Sequence, residues 1–442
     1  MSVKQAPGPR GMEVLRTFRA MGRADPMQFW RDMHAVHGDT ISLKLGPLAI
    51  WFFASPEAIY EVFVTQNRIM RKGLAYSGLR KLLGDGLITN DRENWTTQRQ
   101  RLNPVFSPGA INNYAGSVHD ACEAGMAELK ALAESGKPVD FGHAMTRLTM
   151  RIISLAAFGI DLTRGHDEIV DAFEYAFAFI ADITADPVRP PLFVPTRENR
   201  KFKHALAVID GFLDELIDQS RSQSKPGGMS GTIFSALEGN DRKMLRDEVI
   251  TLYFAGFETT ARTMTFLMHQ LPEHPQVLEQ LRKEAAGLSR PGGRDSVANL
   301  LPAATEVVNE ALRLYPPVAM MARQPNEDCV IDGYPVKANS LVIVCPFLAQ
   351  RNEAWWPAGE AFAPSPETPL SGRLLHRGAF APFGAGARMC LGKHFAMVEM
   401  ALAIAMIARD FDWRLEDPSP MELEFHGTLR PARPVIGHLS VR

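Results

Sequence analysis

The spacing of hydrophobic residues changes along the chain between strand-like and helical patterns. Residues 40–53 form two β-rich runs, which predict a β-hairpin. Residues 56–290 are mostly spaced for helices, with breaks at clusters of Pro, Gly, Ser and Asn. Residues 329–348 are again β-like, with Asp332-Gly333 as a turn. The pattern therefore predicts a mainly α protein with a smaller β portion.

A last helical stripe near the C-terminus predicts a helix with one buried face. The stripe consists of Leu391, Phe395, Val398, Leu402 and Met406.

Residues 247–271 lack proline and predict one helix of about 37 Å. Gly256 in its middle costs about 1 kcal/mol relative to alanine, and Glu258 lies in an apolar, threonine-rich stretch. A mid-helix threonine that bonds to the carbonyl four residues earlier loosens the helix and opens a groove for a small ligand. Glu258 and Thr259 are therefore candidates for proton transfer. The alternative is an exposed glutamate with a helix-packing glycine.

The sequence FGAGARMCLGKHF at 383–395 presents Cys390 among glycines, just before the last predicted helix. Glycine permits positive φ or a close backbone approach. The helix N-terminus and the charge of Arg388 favour a thiolate at Cys390, and a thiolate presented in this way is a ligand that heme iron accepts. The alternative is a buried structural cysteine.

Composition narrows the function classes. Hydrophobic residues make up 46% of the 442 residues and charged residues 22%, as in a globular protein with a large core. A net charge of −2 favours neither nucleic acid nor an anionic membrane. The four cysteines include no C-x-x-C pair, which argues against disulfide and zinc scaffolds. Without a signal peptide or a long apolar run, we expect no membrane anchor and a cytoplasmic location.

The glycine-rich loop matches a known pattern in full. Phe383, Gly386, Arg388, Cys390 and Gly392 fill F-x-x-G-x-R-x-C-x-G, and the loop resembles the heme-binding loop of the cytochrome P-450 family. The resemblance extends in order over nearly the whole chain. It implies the cytochrome P-450 fold and heme b with Cys390 as the axial thiolate ligand. It also implies a single catalytic domain over residues 1–442, with no fused reductase.

Other motifs resemble those of the same family. The AGFETT segment at 255–260 resembles the oxygen-activation signature. This implies that Ala255 lies at the heme, that Thr259 acts in oxygen activation and that Glu258 helps to relay protons. The resemblance also implies that the heme propionates are bound by Trp95, Arg99, Arg323 and Arg388.

Glu310 and Arg313 are three residues apart on a predicted helix, an ordinary spacing for a weak ion pair. They resemble the E-x-x-R motif of the family, which implies a buried structural pair that braces the cysteine loop. The family usually completes this pair with the arginine of a P-E-R-F segment. Here Ser365-Pro366 stands at that point, and Arg373 is the candidate substitute.

The resemblance also places several stretches around an apolar substrate pocket with adaptable methionines. The predicted pocket residues are Leu74, Tyr76, Leu87, Phe177, Phe179, Phe193, Leu252, Phe254, Val318, Met320 and Met321. Plain core packing is the alternative for all of them. Arg189 and Arg197 are candidates for binding a substrate carboxylate, with solvated loop charges as the alternative.

We therefore expect a monomeric monooxygenase that inserts one oxygen atom from O2 into an apolar organic substrate, by hydroxylation or epoxidation. Fatty acids, terpenoids, steroids and other products of secondary metabolism all fit. Electrons would come from a ferredoxin or flavodoxin-type donor with its reductase, through a basic patch of Arg99, Arg101, Lys393 and His394. The alternatives are a non-catalytic heme-thiolate sensor or carrier, and a peroxide-driven peroxygenase.

Overall fold

The structure is a computed structural model, and most of the chain is described. The described residues are 6–10, 13–14, 16–17, 25–45, 48–161, 166–185, 189–223, 228–292, 296–357, 359–364 and 376–442.

Helices make up most of the fold. In chain order they are α1 (Pro26–His37), α2 (Pro56–Tyr60), α3 (Ser77–Leu83), α4 (Arg92–Leu102), α5 (Pro108–Glu134), α6 (Phe141–Phe158), α7 (His166–Ala185), α8 (Arg197–Gln223), α9 (Met229–Ala236), α10 (Arg242–Gln270), α11 (Pro275–Ala286), α12 (Val297–Leu300), α13 (Pro302–Leu314), α14 (Pro346–Ala349) and α15 (Lys393–Asp410).

The strands are short and belong to several small sheets. They are β1 (Thr40–Leu45), β2 (Leu48–Phe53), β3 (Met70–Arg71), β4 (Val139–Asp140), β5 (Met321–Pro325), β6 (Cys329–Ile331), β7 (Tyr334–Val336), β8 (Leu341–Val344), β9 (Phe411–Leu415), β10 (Leu423–Phe425), β11 (Leu429–Pro431) and β12 (Ile436–Val441). The largest sheet has the order β1-β2-β8-β5-β3, and smaller sheets are β4-β12-β9, β10-β11 and β6-β7. The predicted mainly α class with a smaller β portion is confirmed.

The hairpin predicted at 40–53 is confirmed, because β1 pairs antiparallel with β2 from Thr40↔Phe53 to Leu45↔Leu48. Strand β2 also pairs with β8 in parallel and is therefore an interior strand. Trp51 and Phe53 pack into one apolar cluster, and Ile50 and Phe52 pack into another. Both faces of β2 are covered, which explains its unbroken run of hydrophobic residues.

The β-like stretch from 329 contains the predicted turn. Asp332 and Gly333 both have positive φ, 52° and 76°, and they join β6 to β7 at the pair Ile331↔Tyr334. This is the backbone that an Asp-Gly hairpin turn needs. The end of the stretch was predicted wrongly, because residues 346–349 form the short helix α14.

Helix α10 is longer than the sequence pattern predicts. It begins five residues earlier, where Asp241 caps the helix by accepting a hydrogen bond from the Met244 amide at 2.7 Å. The first turn is polar, so hydrophobic spacing alone misses it. Gly256 lets α10 approach α6 closely, because a Cβ there would lie 2.9 Å from Cδ1 of Ile153. The helix-packing alternative for this glycine is therefore the one that the structure supports.

Helix α15 does not have the single buried face that its stripe predicts. All residues from Val398 to Ala408 are buried, because α15 packs against α5, α10, α11 and α13. Leu391 precedes the helix and is only half-buried. A helix that is hydrophobic all round is typical of a position inside a large core. In the part of the chain that the structure describes, no helix meets the length and hydropathy needed to cross a bilayer.

Candidate active site

The loop before α15 is turned by glycines with left-handed backbone. Gly384 and Gly386 both have φ of 67°, a region that favours glycine. A Cβ on Gly386 would lie 2.1 Å from the carbonyl oxygen of Phe63, closer than any real contact. The Cys390 amide donates to the carbonyl of Phe383 at 2.9 Å and closes the loop. Backbone geometry therefore determines where the Cys390 side chain emerges.

Gly392 differs from the other two glycines of the loop. Its φ is −82° and a Cβ there would meet no protein atom within 4 Å. Neither its backbone conformation nor a close contact with another protein atom therefore explains why glycine is needed at position 392.

Cys390 is the exposed member of the four cysteines; Cys122 and Cys345 are buried and Cys329 is half-buried. Desolvation nevertheless raises the pKa of the Cys390 thiol above its ordinary value. Accessible surface together with desolvation is what a thiol that lines a recessed space would show. This placement argues against a merely structural cysteine.

The same pKa corrects one prediction about the thiolate. The amide of Gly392 and the positive charges of Arg99 and Lys393 lower the pKa of Cys390, but burial outweighs them. The helix N-terminus therefore does not by itself produce a thiolate, and Arg388 is not among these influences. Coordination to a metal ion deprotonates a thiol ligand outright, so ligation would supply the thiolate here.

Positive side chains converge beside this space. The guanidinium carbon of Arg388 lies 4.2 Å from the Trp95 ring centroid. Arg388 also donates to the carbonyl of Asn90 at 3.2 Å and to the Asp91 carboxylate. Desolvation lowers the pKa of Arg388, and the nearby charge of Arg323 adds to this effect. The predicted residues Trp95, Arg323 and Arg388 are therefore neighbours.

Arg323 and Arg99 complete this charged region. Arg323 is 5% exposed and donates to the carbonyl of Ala322 at 2.7 Å and to Tyr76 Oη at 3.3 Å. Burial lowers the pKa of Arg99, while interaction with Cys390 opposes that shift. Arg99 thus lies near the thiol, whereas Arg323 lies with Arg388.

Helix α10 holds the predicted proton-transfer residues. Thr259 Oγ1 donates to the carbonyl of Ala255 at 2.9 Å, the back-bond that loosens a helix. Glu258 is 3% exposed, which excludes the alternative of an exposed glutamate. Glu258 Oε1 accepts from Nε of Arg262 and from Oγ1 of Thr428, both at 3.0 Å. The sequence interpretation missed both partners.

One face of α10 remains partly accessible although most of the helix is buried. Leu252, Ala255 and Thr259 are half-buried and follow the i, i+3, i+7 spacing of one helical face. Their neighbours Tyr253, Phe254 and Phe257 are buried. An accessible stripe on a central helix indicates an internal space along that face.

Glu310 and Arg313 form the buried pair that the sequence predicts. They are 3% and 2% exposed, and two Arg313 nitrogens donate to the two Glu310 oxygens at 2.8 Å each. Arg313 also donates to the carbonyls of Gln350, Gly359 and Ala361, at 3.0, 2.8 and 2.8 Å. The pair is therefore fully hydrogen-bonded, as a buried ion pair must be.

Backbone groups complete the hydrogen bonding of the Glu310–Arg313 pair. The Ala363 amide donates to Glu310 Oε1 at 2.9 Å, and Arg313 is bonded to the three carbonyls named above. The Gln350 side chain is fully buried; it donates to the carbonyls of Leu312 and Arg313 and accepts from the Ala381 amide. Arg373, the predicted substitute, lies outside the described residues.

The predicted pocket residues fall into two groups. Half-buried members, which remain compatible with a pocket wall, are Tyr76, Phe177, Leu252, Val318, Met320 and Met321. Leu87 and Phe254 are buried, and the Phe177 and Phe254 rings lie 4.9 Å apart.

Other members lie elsewhere. Leu74 and Phe193 are 79% and 81% exposed, and Phe179 stacks on Phe202 between α7 and α8 with ring centroids 4.4 Å apart. For these three the structure does not support a place on the pocket wall. The Leu74 and Phe193 side chains face solvent, and the Phe179 side chain packs in the core. Arg189 pairs with Asp182 at 3.2 Å.

Comparison with known proteins decides the family. The family model described as Cytochrome P-450 matches residues 6–436. The chain is a cytochrome P-450. It is 30% identical to cyclooctatin synthase of Streptomyces melanosporofaciens, over 92% of this chain and 89% of that protein. Cyclooctat-9-en-7-ol 5-monooxygenase of the same organism is also 30% identical, over 88% of this chain and 85% of the relative.

Two further matches extend this result. Pentalenene oxygenase of Streptomyces avermitilis is 26% identical, over 88% of this chain and 87% of that protein. The crystal structure of the cytochrome P-450DA heme domain superposes with a TM-score of 0.84 and 25% identity, covering 100% of this chain and 98% of that one. This cytochrome P-450 is therefore a monooxygenase that binds heme b through an axial cysteine.

The residues of this P-450 fit that cofactor. Cys390 offers an accessible, desolvated sulfur at a fixed point of the backbone. Arg323 and Arg388 offer buried guanidinium donors of the kind that bind carboxylates. The donor set therefore suits a planar group with one soft metal ligand and carboxylates at its edge.

Proposed function

We propose that this P-450 oxygenates a terpenoid-type hydrocarbon at a site bounded by Cys390 and the accessible face of α10. The observation that carries the proposal is the pairing of two accessible features inside the protein. One is the Cys390 thiol, and the other is the stripe of Leu252, Ala255 and Thr259. The proposal takes both to open onto the same space.

Heme b held by Cys390 supplies the activation of dioxygen when it is bound. The protein side chains then have separate tasks. Trp95, Arg99, Arg323 and Arg388 hold the edge of the group. Ala255 leaves room over its face because a methyl group is the smallest side chain after glycine. Thr259 keeps its hydroxyl hydrogen on the Ala255 carbonyl, so its lone pairs point away from the helix and accept a hydrogen bond.

We assign Glu258 as the group that takes up a proton from solvent and passes it toward Thr259. Its carboxylate is held between Arg262 and Thr428, so it cannot turn toward Thr259 while both contacts persist. The Arg262 guanidinium lies 3.9 Å from the carboxylate of Glu174, whose side chain is 41% exposed. Arg262 thus has a second carboxylate near the surface, and moving toward Glu174 would release Glu258 for proton transfer.

Two observations support the substrate class. The names of the relatives specify an alkenol and pentalenene as the molecules oxygenated. Half-buried apolar side chains lie on α10 and beside it, among them Leu252 and Phe177. Apolar walls exclude water and bind hydrocarbons in proportion to the buried area.

We further infer that a separate ferredoxin or flavodoxin-type protein supplies electrons near α15. Lys393 and His394 are half-buried there, and the charge of Lys393 together with desolvation lowers the pKa of His394. Arg99 lies close to Cys390. A positive region next to the thiol ligand favours an acidic electron donor.

The test is product analysis with labelled dioxygen. A reconstituted system with ferredoxin and reductase should transfer one 18O atom to a cyclic alkene, whereas hydrogen peroxide alone should not sustain turnover. Thr259→Ala should consume reduced cofactor at a comparable rate but form several-fold less product. The proposal would fail if Thr259→Ala kept normal coupling, or if label entered from water.

A further inference from the structure

A lysine and a tyrosine that the sequence motifs do not include lie among the arginines of the site. The Lys72 ammonium lies 4.2 Å from the Tyr76 ring centroid. Tyr76 Oη accepts a hydrogen bond from Arg323 at 3.3 Å. The backbone amide of Lys72 donates at 2.9 Å to the Asp91 carboxylate, and the other oxygen of that carboxylate pairs with Arg388. These residues form one connected group.

The group carries more positive than negative charge. Lys72, Arg323 and Arg388 each contribute one positive charge, and Asp91 contributes one negative charge. Among the described residues, no carboxylate ranks among the causes of the Lys72 pKa shift, and Asp91 is the carboxylate that ranks among those of the Arg388 shift. The protein therefore leaves two positive charges without a counter-charge in a poorly solvated place.

The pKa values of Lys72 and Tyr76 show the effect of this excess positive charge. Desolvation and the charges of Arg323 and Arg388 lower the pKa of Lys72 to about 8, although Tyr76 opposes the shift. Burial alone would raise the pKa of Tyr76, but Lys72 and Arg323 lower it to about 8. A lysine that loses its proton readily, next to a phenol that also does so, marks a site that lacks anions.

We propose that Lys72 and Tyr76 are heme-binding residues that, with Arg323 and Arg388, neutralise and hydrogen-bond the two propionates. The dianion of heme b matches the two uncompensated charges. Arg388 is two residues from Cys390 in the same loop, so the group and the thiol lie within the span of one cofactor. Tyr76 then belongs to the cofactor site and not to the substrate pocket in which the sequence analysis places it.

The pH dependence of heme release provides a test that needs no destabilised protein. The proposal requires Lys72 to be charged while the propionates are bound. Bound propionates hold the Lys72 proton more tightly than the empty site does. Heme transfer from the holoprotein to apomyoglobin should therefore be slow at pH 7 and pH 8 and accelerate only at higher pH, where Lys72 and Tyr76 lose their protons. Lys72→Arg, whose charge does not titrate in this range, should keep the slow rate at pH 7 and remove the part of the acceleration that Lys72 causes, and combining it with Tyr76→Phe should remove the rest.

Charge removal gives the complementary measurement. Lys72→Met should release heme at pH 7 about tenfold faster or more, as expected for a lost charge-assisted hydrogen bond, and Tyr76→Phe should have a smaller effect. The exposed Lys81→Met serves as the control and should match the wild type. The reduced carbonyl complex should keep its thiolate-type spectrum in all variants, since Cys390 is untouched.

Two results would overturn the proposal. Equal release rates for Lys72→Met and Lys81→Met would show that Lys72 does not hold the cofactor, and a loss of affinity for a carboxylate-bearing ligand alone would assign the group to substrate. Equally fast release in Lys72→Met and Lys72→Arg would indicate packing rather than charge. A normal spectrum with faster release leaves the monooxygenase proposal intact, so the two hypotheses fail separately.

Discussion

Around the buried Glu310–Arg313 pair the hydrogen-bond partners from other segments are backbone amides and carbonyls, whereas Glu258 on α10 is bonded to two side chains. Arg313 and Glu310 bond to the backbone of residues 350–363. Glu258, in contrast, is held by Thr428, which is 170 residues away in the chain. The first arrangement joins α13 to the backbone of residues 350–363, whereas the partners of Glu258 are side chains, which can change rotamer without moving the backbone.

Carboxylates near the start of α10 also bind the backbone of the loop between α3 and α4. Asp247 accepts from the Asp85 amide at 2.9 Å, and Glu248 accepts from the Leu87 amide at 3.2 Å. The second oxygen of Glu248 is buried with no hydrogen-bond partner. A carboxylate in this position is costly to ionise, so the stability that this part of α10 contributes depends on pH.

The largest expected effect comes from breaking the buried Glu310–Arg313 pair. Glu310→Gln leaves the Arg313 charge buried without its partner, which should cost about 3–5 kcal/mol in the free energy of unfolding. The control is Glu422→Gln. It removes the 2.9 Å pair with Arg433, in which both side chains are exposed, 67% for Glu422 and 70% for Arg433, and should cost at most about 1 kcal/mol. Urea unfolding of the holoproteins measures both. Equal costs would mean that burial does not make the Glu310–Arg313 pair more important than a surface pair.

A smaller effect should appear on α10. Burial raises the pKa of Glu248 to about 7, so the folded state binds a proton that the unfolded state has lost. The stabilisation is complete below the ordinary pKa of 4.5 and disappears as pH rises through 7. Glu248→Gln keeps an acceptor for the Leu87 amide but does not titrate. Relative to wild type, it should gain at most roughly 3 kcal/mol between pH 5 and 8.

Urea unfolding at the two pH values measures this gain. If the difference between Glu248→Gln and wild type stays constant from pH 5 to 8, the carboxyl titrates normally and the comparison must be revised.

The smallest expected effect is a difference in stability between two glycine variants of the cysteine loop. It separates the cost of backbone strain from the cost of a steric clash with Phe63. Gly384→Ala and Gly386→Ala impose the same unfavourable φ of 67°. Only Gly386 faces a backbone atom at 2.1 Å, whereas the nearest atom to a Cβ at Gly384 is the Met321 sulfur at 3.7 Å. Gly386→Ala should therefore be less stable than Gly384→Ala by about 1–3 kcal/mol. Equal losses would mean that the loop moves freely away from Phe63.

The two regions also differ in what sequence reasoning predicts. The Glu310–Arg313 pair and the Cys390 loop are local patterns, and both fold as their spacing indicates. Arg262 could have been predicted as a partner of Glu258, because it follows Glu258 by four residues on one helix face. Thr428 could not have been predicted as a partner, because no local sequence pattern links it to α10.

The pocket shows the same limit more strongly. Spacing identifies the stretch that contains Leu74, but only tertiary packing decides that this side chain faces solvent. The excess charge around Lys72 becomes visible only when β3, β5 and the cysteine loop are brought together. Gln350, similarly, carries no motif, although it joins two parts of the site.

The Gln350 amide has a consequence for the working range of the molecule. Its nitrogen bonds to the end of α13 and its oxygen to the Ala381 amide in the segment that leads to Cys390. A carboxamide carries both a donor and an acceptor and has no proton to lose in water. The hydrogen bonds of this amide therefore persist from acid to alkaline pH and at high salt concentration. Ion pairs, in contrast, weaken under these conditions.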